Sequence, residues 1–263
     1  MIAISDSVKV RKDLPSGTII LSRQETRNAL SRDVVARLQE ALEDFQGEKR
    51  VKAVILTGSG NSFCSGSDLK ELHETLKSPQ AEQQWQQDVE QLLMLIETML
   101  RFPKPIICAA NGSVCGSGAA LLLAADTVVA SEQSFLSFPD SRVGLVSGVA
   151  IPLLAFRVGA GRAANLVLTG AQLDAPKCRD DGIFHEIVSE ELVWARAQEI
   201  AQQIDANCHQ SMLISKRLIN ETLGEELLTQ LRIGAAQTAA ARTSELAHEG
   251  IAAFIEKRDP DFD

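Results

Sequence analysis

Five short runs rich in apolar and β-branched residues, separated by stretches of helical period, most narrow what this chain can fold into. They are GTIILS (17–22), VKAVILT (51–57), KPIICAA (104–110), TVVAS (127–131) and SFLSF (134–138). Strands so continuously apolar are buried on both faces, and the segments between them must supply the cover. The pattern implies an α/β arrangement, a sheet enclosed by helices.

Two of those covering segments are strongly marked. Ser31 opens a helix whose apolar residues Val34, Val35, Leu38, Leu42 and Phe45 recur at three-to-four spacing, with Gly47 after its end. A second helix is predicted over 81–101, carrying Val89, Leu92, Leu93, Leu95, Ile96 and Leu100 ahead of Pro103. From Glu190 onward strand signals vanish and helix formers dominate. The division expected is a core over 1–189 and a helical C-terminal region over 190–263.

Composition removes several function classes. A formal net charge of −9, no Tyr and only 2 Trp argue against a nucleic-acid surface, which needs clustered cations and stacking platforms. Cys64, Cys108, Cys115, Cys178 and Cys208 are odd in number and lack paired metal spacing, and His73, His185, His209 and His248 are scattered. Free thiols in a reducing compartment are expected, with no metal site. No basic leader followed by an apolar run opens MIAISDSVKV, and no apolar stretch has the length of a membrane span. The expectation is a cytoplasmic protein.

Two motifs are lures. GAGRAA (159–164) satisfies a loose dinucleotide-binding pattern but lacks its strand–turn–helix context, and reads instead as a turn between helices. Ser117, between Gly116 and Gly118, is not in a G-x-S-x-G elbow and has no nearby His, so a helix cap is its plainer reading.

A third feature has two halves. VKAVILTGSGNSFCSGSDLKEL sets a small-residue loop, Ser65-Gly66-Ser67, between a strand and a helix beginning near Asp68. KPIICAANGSVCGSGAALLLAAD repeats that logic. Small residues let a ligand approach the backbone, and free N–H groups at a helix start favour negative charge. Two such turns facing each other would make an oxyanion hole.

With RNALS (27–31), SFLSFPDSRVGLVSG, RAANLVLTG and EGIAAFIEKRDPDF, these stretches run in one order along nearly the whole chain. Together they resemble the crotonase superfamily, the enoyl-CoA hydratase/isomerase family. The resemblance implies a spiral of repeated ββα units and a C-terminal helical region that builds a homotrimer, often paired into a hexamer. It implies an acyl-CoA substrate, with coenzyme A as part of that substrate and no separate cofactor. The two backbone N–H groups that polarise the thioester carbonyl map to Ser67 and Ser117. Arg27, Ala29, Ser65, Asp68 and Leu69 fall in segments that meet the CoA ester, while Phe254 and Lys257 correspond to residues that reach a neighbouring subunit's ligand.

Hydratases of the family use two glutamates. By motif the first position is Ala120 and the second is Asp140, so one carboxylate is missing and the other is shorter by a methylene. A positioned acid or base is typically worth about 10²- to 10⁴-fold in rate. Ser113, Cys115, Glu71, Glu74 and Arg142 are further candidates for a second proton carrier. One carboxylate and an oxyanion hole suffice to move a double bond through a thioester enolate. Two readings therefore stand: a single-carboxylate isomerase or hydratase-like lyase working through Asp140, or a CoA-thioester binding or assembly protein that has lost its chemistry.

Overall fold

An alternation hidden inside the apolar runs decides how the sheet is covered. In the computed structural model, which describes residues 2–3 and 6–263, Val54 and Leu56 face the main core while Ala53 and Ile55 face the opposite side. Ile106, Cys108 and Ala110 divide from Ile107 and Ala109 in the same way. Each run is apolar throughout because both faces are buried.

Among the described residues these strands form a seven-stranded sheet. Its order is β1 (Ile2–Ala3), β2 (Val8–Asp13), β3 (Ser16–Leu21), β4 (Ala53–Gly58), β6 (Ile106–Ala110), β8 (Thr127–Ser131) and β11 (Glu186–Val188). A smaller sheet has the order β10 (Leu173–Asp174), β9 (Phe135–Ser137), β7 (Ser113–Cys115) and β5 (Ser62–Cys64). β4, β6 and β8 pair parallel in the first sheet, and β5, β7 and β9 pair parallel in the second. A long strand, a short strand and a helix thus recur, each turn of the chain stacked on the last.

The helices fill in between. α1 (Arg32–Gly47) starts at Ser31, whose hydroxyl accepts from the Val34 amide, a cap worth about 1 kcal/mol. α2 (Leu69–Thr75), α3 (Ala81–Arg101) and α4 (Gly118–Leu123) follow, and then α5 (Ala150–Val158) and α6 (Ala160–Thr169) meet at Gly159. GAGRAA is therefore a helix-to-helix turn. α7 (Ala175–Asp180), α8 (Val193–Asp205), α9 (His209–Arg242) and α10 (Glu245–Glu256) complete the chain.

α8 falls in the C-terminal helical stretch yet belongs to the layers of the sheet. Its stripe Val193, Ala197 and Ala201 packs on Ile55, Ile107 and Val129. α9 is broken at Gly224, where φ is 71° and ψ 169°. Its second half comes back over α3 and α5, and α10 packs on α2 and on the 3-10 turn Pro139–Val143. The approach is backbone to backbone: a Cβ on Gly148 or on Gly234 would lie 2.0 Å from the other's carbonyl oxygen. The Gly148 amide also donates to Thr238 Oγ1 at 3.0 Å. No helix among the described residues is long and apolar enough to cross a membrane.

Candidate active site

The two small-residue loops meet. Ser67 and Ser117, fifty residues apart, bring their hydroxyls to 3.1 Å. Gly66 takes φ +93°, and a Cβ there would lie 2.9 Å from the Cys115 carbonyl oxygen and 3.3 Å from the Ser117 nitrogen, so only glycine allows the approach. Leu30 donates its N–H to the Gly66 oxygen and Asp68 donates to the Leu30 oxygen, which turns the Ser67 amide away from the strand contact. Among the described residues the amides of Ser67 and Ser117 have no protein acceptor. The Ser117 side chain caps nothing; it serves the hydroxyl pair instead.

Asp140 lies next to this pair. It sits in the 3-10 turn Pro139–Val143, and its carbonyl oxygen accepts from the Leu145 amide at 2.9 Å, which fixes the segment. Its carboxylate occupies the space beside Gly116, where a Cβ would come within 2.9 and 3.0 Å of the two oxygens. Oδ2 is buried and has no hydrogen-bond partner. Burial pushes the carboxyl above the usual aspartate range, against the pull of the Ser147 hydroxyl, of its own backbone N–H and, least, of the Arg242 guanidinium. A desolvated carboxylate with an unshared oxygen is a stronger base than one in water.

Ser67 and Asp140 line a cavity of about 470 Å³, within the range of small-molecule sites; Ser117 itself is not in its wall, which its neighbours Cys115 and Gly116 reach. Arg27, Ala29, Ser65, Ser67, Asp68, Leu69 and Phe254 line it with Asp140. The Arg27 segment is held by Ser65, whose N–H donates to the Arg27 oxygen at 3.0 Å and whose hydroxyl donates to the Thr26 oxygen at 2.9 Å. Asp68 lines the wall but spends its carboxylate on Arg23 at 2.7 Å and on the Lys70 and Glu71 amides that open α2. Phe254 borders the cavity of its own chain, and Lys257, in the left-handed region at the end of α10, does not line it.

Ala120 is wholly buried in the core and offers the cavity nothing. Of the other candidates, Arg142 lines the cavity and donates to the Gly170 oxygen at 3.2 Å. Ser113 lines it too and donates to Ser62. The Cys115 thiol accepts from Ser137 Oγ at 3.3 Å, and burial pushes its pKa up, so it stays protonated at neutral pH. Glu71 turns away to accept the Arg32 amide, and Glu74 is exposed. Two residues absent from the sequence reading stand beside Asp140: Ser147, whose buried hydroxyl draws the Asp140 pKa down, and Arg242, at the end of α9. Nothing in GLVSG or AAART marks either as buried.

A larger groove of about 560 Å³ lies between the end of α3 and the break in α9, lined by Phe102, Leu227 and Lys216 among others. It holds no pair of free amides beside a buried carboxylate. Among the described residues no three His, Cys, Asp or Glu side chains gather where a metal ion could be held.

Comparison with known proteins adds an independent line. The profile of the enoyl-CoA hydratase/isomerase family matches residues 17–263. A 1,2-epoxyphenylacetyl-CoA isomerase of Escherichia coli is 31% identical over 247 residues, covering 93% of this chain and 94% of that protein. An enoyl-CoA isomerase/hydratase of Mycosarcoma maydis is 30% identical over 254 residues, covering 93% and 91%. The crystal structure of an enoyl-CoA hydratase/isomerase from Pseudoalteromonas atlantica superposes with a TM-score of 0.84 at 30% identity, over 98% of this chain and all of that one.

Proposed function

This chain belongs to the enoyl-CoA hydratase/isomerase family, the crotonase superfamily, and from that membership we propose that it moves a double bond in an acyl-CoA thioester with Asp140 as its one acid–base group. The observation that carries this reading is the buried, unshared Oδ2 of Asp140 beside the free amides of Ser67 and Ser117, with a methyl group at Ala120.

In a 3-enoyl thioester Asp140 takes a proton from the α-carbon. The electron pair moves into the carbonyl, and the resulting enolate oxygen accepts from the Ser67 and Ser117 N–H groups. Protonated Asp140 then returns the proton at the γ-carbon, the double bond comes to rest between C2 and C3, and nothing is gained or lost overall. Hydration would also need a group to activate water, and Ala120 supplies none. Arg27 and Ala29 would border the CoA moiety. Assembly as a homotrimer, alone or paired as a hexamer, belongs to the same proposal and is supported by exposed Ile233, Leu246 and Phe254 on α9 and α10.

Matched 2-enoyl- and 3-enoyl-CoA esters in deuterated water test it. Migration of the double bond with deuterium entering at carbon 2 or 4, and no 3-hydroxyacyl product, is the expected result. Rapid hydration would show that another group replaces Ala120. Binding of the esters with neither reaction would favour a CoA-ester binding protein.

A further inference from the structure

We propose that Arg242 is the receptor for an oxygen acceptor, a carboxylate or a hydroxyl, carried on the acyl group of the substrate. The proposal rests on the acyl-CoA reading above and narrows its substrate class.

Arg242 is only 5% exposed. Its Nε and Nη1 are buried without partners, and Nη2 reaches only Ser67 Oγ, at a long 3.5 Å. Burying a cation with its donors unpaired is costly, and proteins rarely leave one so without use. Carboxylates stand near but are occupied. Asp88 takes both Nε and Nη2 of Arg32, at 2.6 and 2.9 Å. Glu71 accepts the Arg32 amide at 2.9 Å, and Asp68 is held by Arg23. Asp140 faces Arg242 from the other side. These charges offset that of Arg242 through space, and burial lowers the guanidinium only to about 10, so it remains charged at neutral pH. None of them fills its hydrogen-bonding capacity.

The space in front of it has a size and a neighbour. A cavity of about 30 Å³ beside Arg242 and Ser67, with the carboxylates of Asp68, Glu71 and Asp88 and the Arg32 guanidinium also in its wall, holds about one water-sized group. It shares Ser67 and Asp68 with the main cavity, so the two spaces adjoin there, and in the proposal an acyl chain anchored at the Ser67 and Ser117 amides continues past Ser67 to the guanidinium. An oxygen placed there satisfies the donors. A methyl would leave them unpaired, and a site built on buried polar groups discriminates strongly against a ligand that cannot pair them.

The test uses saturated esters, in which there is no double bond to move. Binding of pentanoyl-, 5-hydroxypentanoyl- and glutaryl-CoA, with their four- and six-carbon counterparts, is measured by calorimetry against free CoA. At some chain length an oxygenated ester should bind the wild type about 10-fold or more tightly than its alkyl match, and Arg242→Met should bring that ratio near one. Arg242→Gln serves if the Met variant does not fold. The two oxygenated arms separate a carboxylate receptor from a hydroxyl receptor. Alkyl esters binding as tightly as both at every length, or a preference that survives both variants, would overturn the role of Arg242 while leaving the acyl-CoA reading intact. No ester binding better than free CoA would overturn both.

Discussion

Two clusters of buried charge in this chain are treated in opposite ways. At one end of the sheet Lys216 donates to the Lys104 carbonyl at 2.8 Å and to Asp126 Oδ2 at 2.6 Å, while Asp126 also accepts the Ile106 amide at 2.6 Å. Lys104 in turn donates to the carbonyls of Phe45 and Glu48, which ties the end of α1 to the start of β6. Beside the cavity, Asp140 has an oxygen without a donor and Arg242 has two nitrogens without an acceptor. The first cluster is a joint: its charges are consumed by holding chain segments together. The second has been left open, and unpaired polar groups in a buried site are what a reacting ligand needs.

The contrast would break most visibly at Asp140. Asp140→Asn should lower turnover of a 3-enoyl-CoA ester by about 10²- to 10⁴-fold while ester affinity stays within a few-fold, read by steady-state kinetics beside calorimetry. Persisting turnover would remove the reason for the open cluster. Lys216→Met should destabilise by about 2–4 kcal/mol in urea unfolding, a value reduced for the partial exposure of Asp126, because it strands a carboxylate that now has a cation. Arg242→Met should move the midpoint the other way, by about 1 kcal/mol, since an apolar side chain of similar length replaces an unpaired charge. A loss as large as that at Lys216 would mean the two clusters are the same kind of object.

The finest test is the pH dependence of stability. Folding raises the Asp140 pKa, so the folded chain holds its proton more tightly than the unfolded one. Stability then falls as pH rises from the ordinary aspartate value, about 3.9, through the raised folded value. Asp140→Asn should therefore outlast the wild type at neutral pH, and the gap should close below about pH 3.5. A gap that does not change with pH would show that Asp140 is better solvated than its surroundings imply.

How far each cluster could be foreseen follows from what kind of contact makes it. The strands β4 and β6 and the helices α1 and α3 are written in local periodicity, and the predicted span 81–101 is the helix found. β2 escapes a search for continuous apolar runs because Val8 and Val10 alternate with Lys9 and Arg11, a period-two signal of a strand near the sheet edge. β5 and β7, three residues each, are too short and too rich in Ser and Cys to register. Asp140 and the Ser67 and Ser117 loops are found through neighbours in sequence. Arg242 is not, since a lone arginine in an alanine-rich helix reads as solvated. Its burial is decided by the return of α9 to a loop 175 residues away.

The glycine contact between Gly148 and Gly234 sets how two properties can vary. One backbone belongs to the segment that follows Asp140 and the other to the helix that ends in Arg242, and their carbonyls leave no room for a single carbon atom. A side chain at either position would push both anchors apart at once. Rate and acyl preference are in this sense inherited together: a lineage drifting at these two positions would meet a simultaneous loss of both.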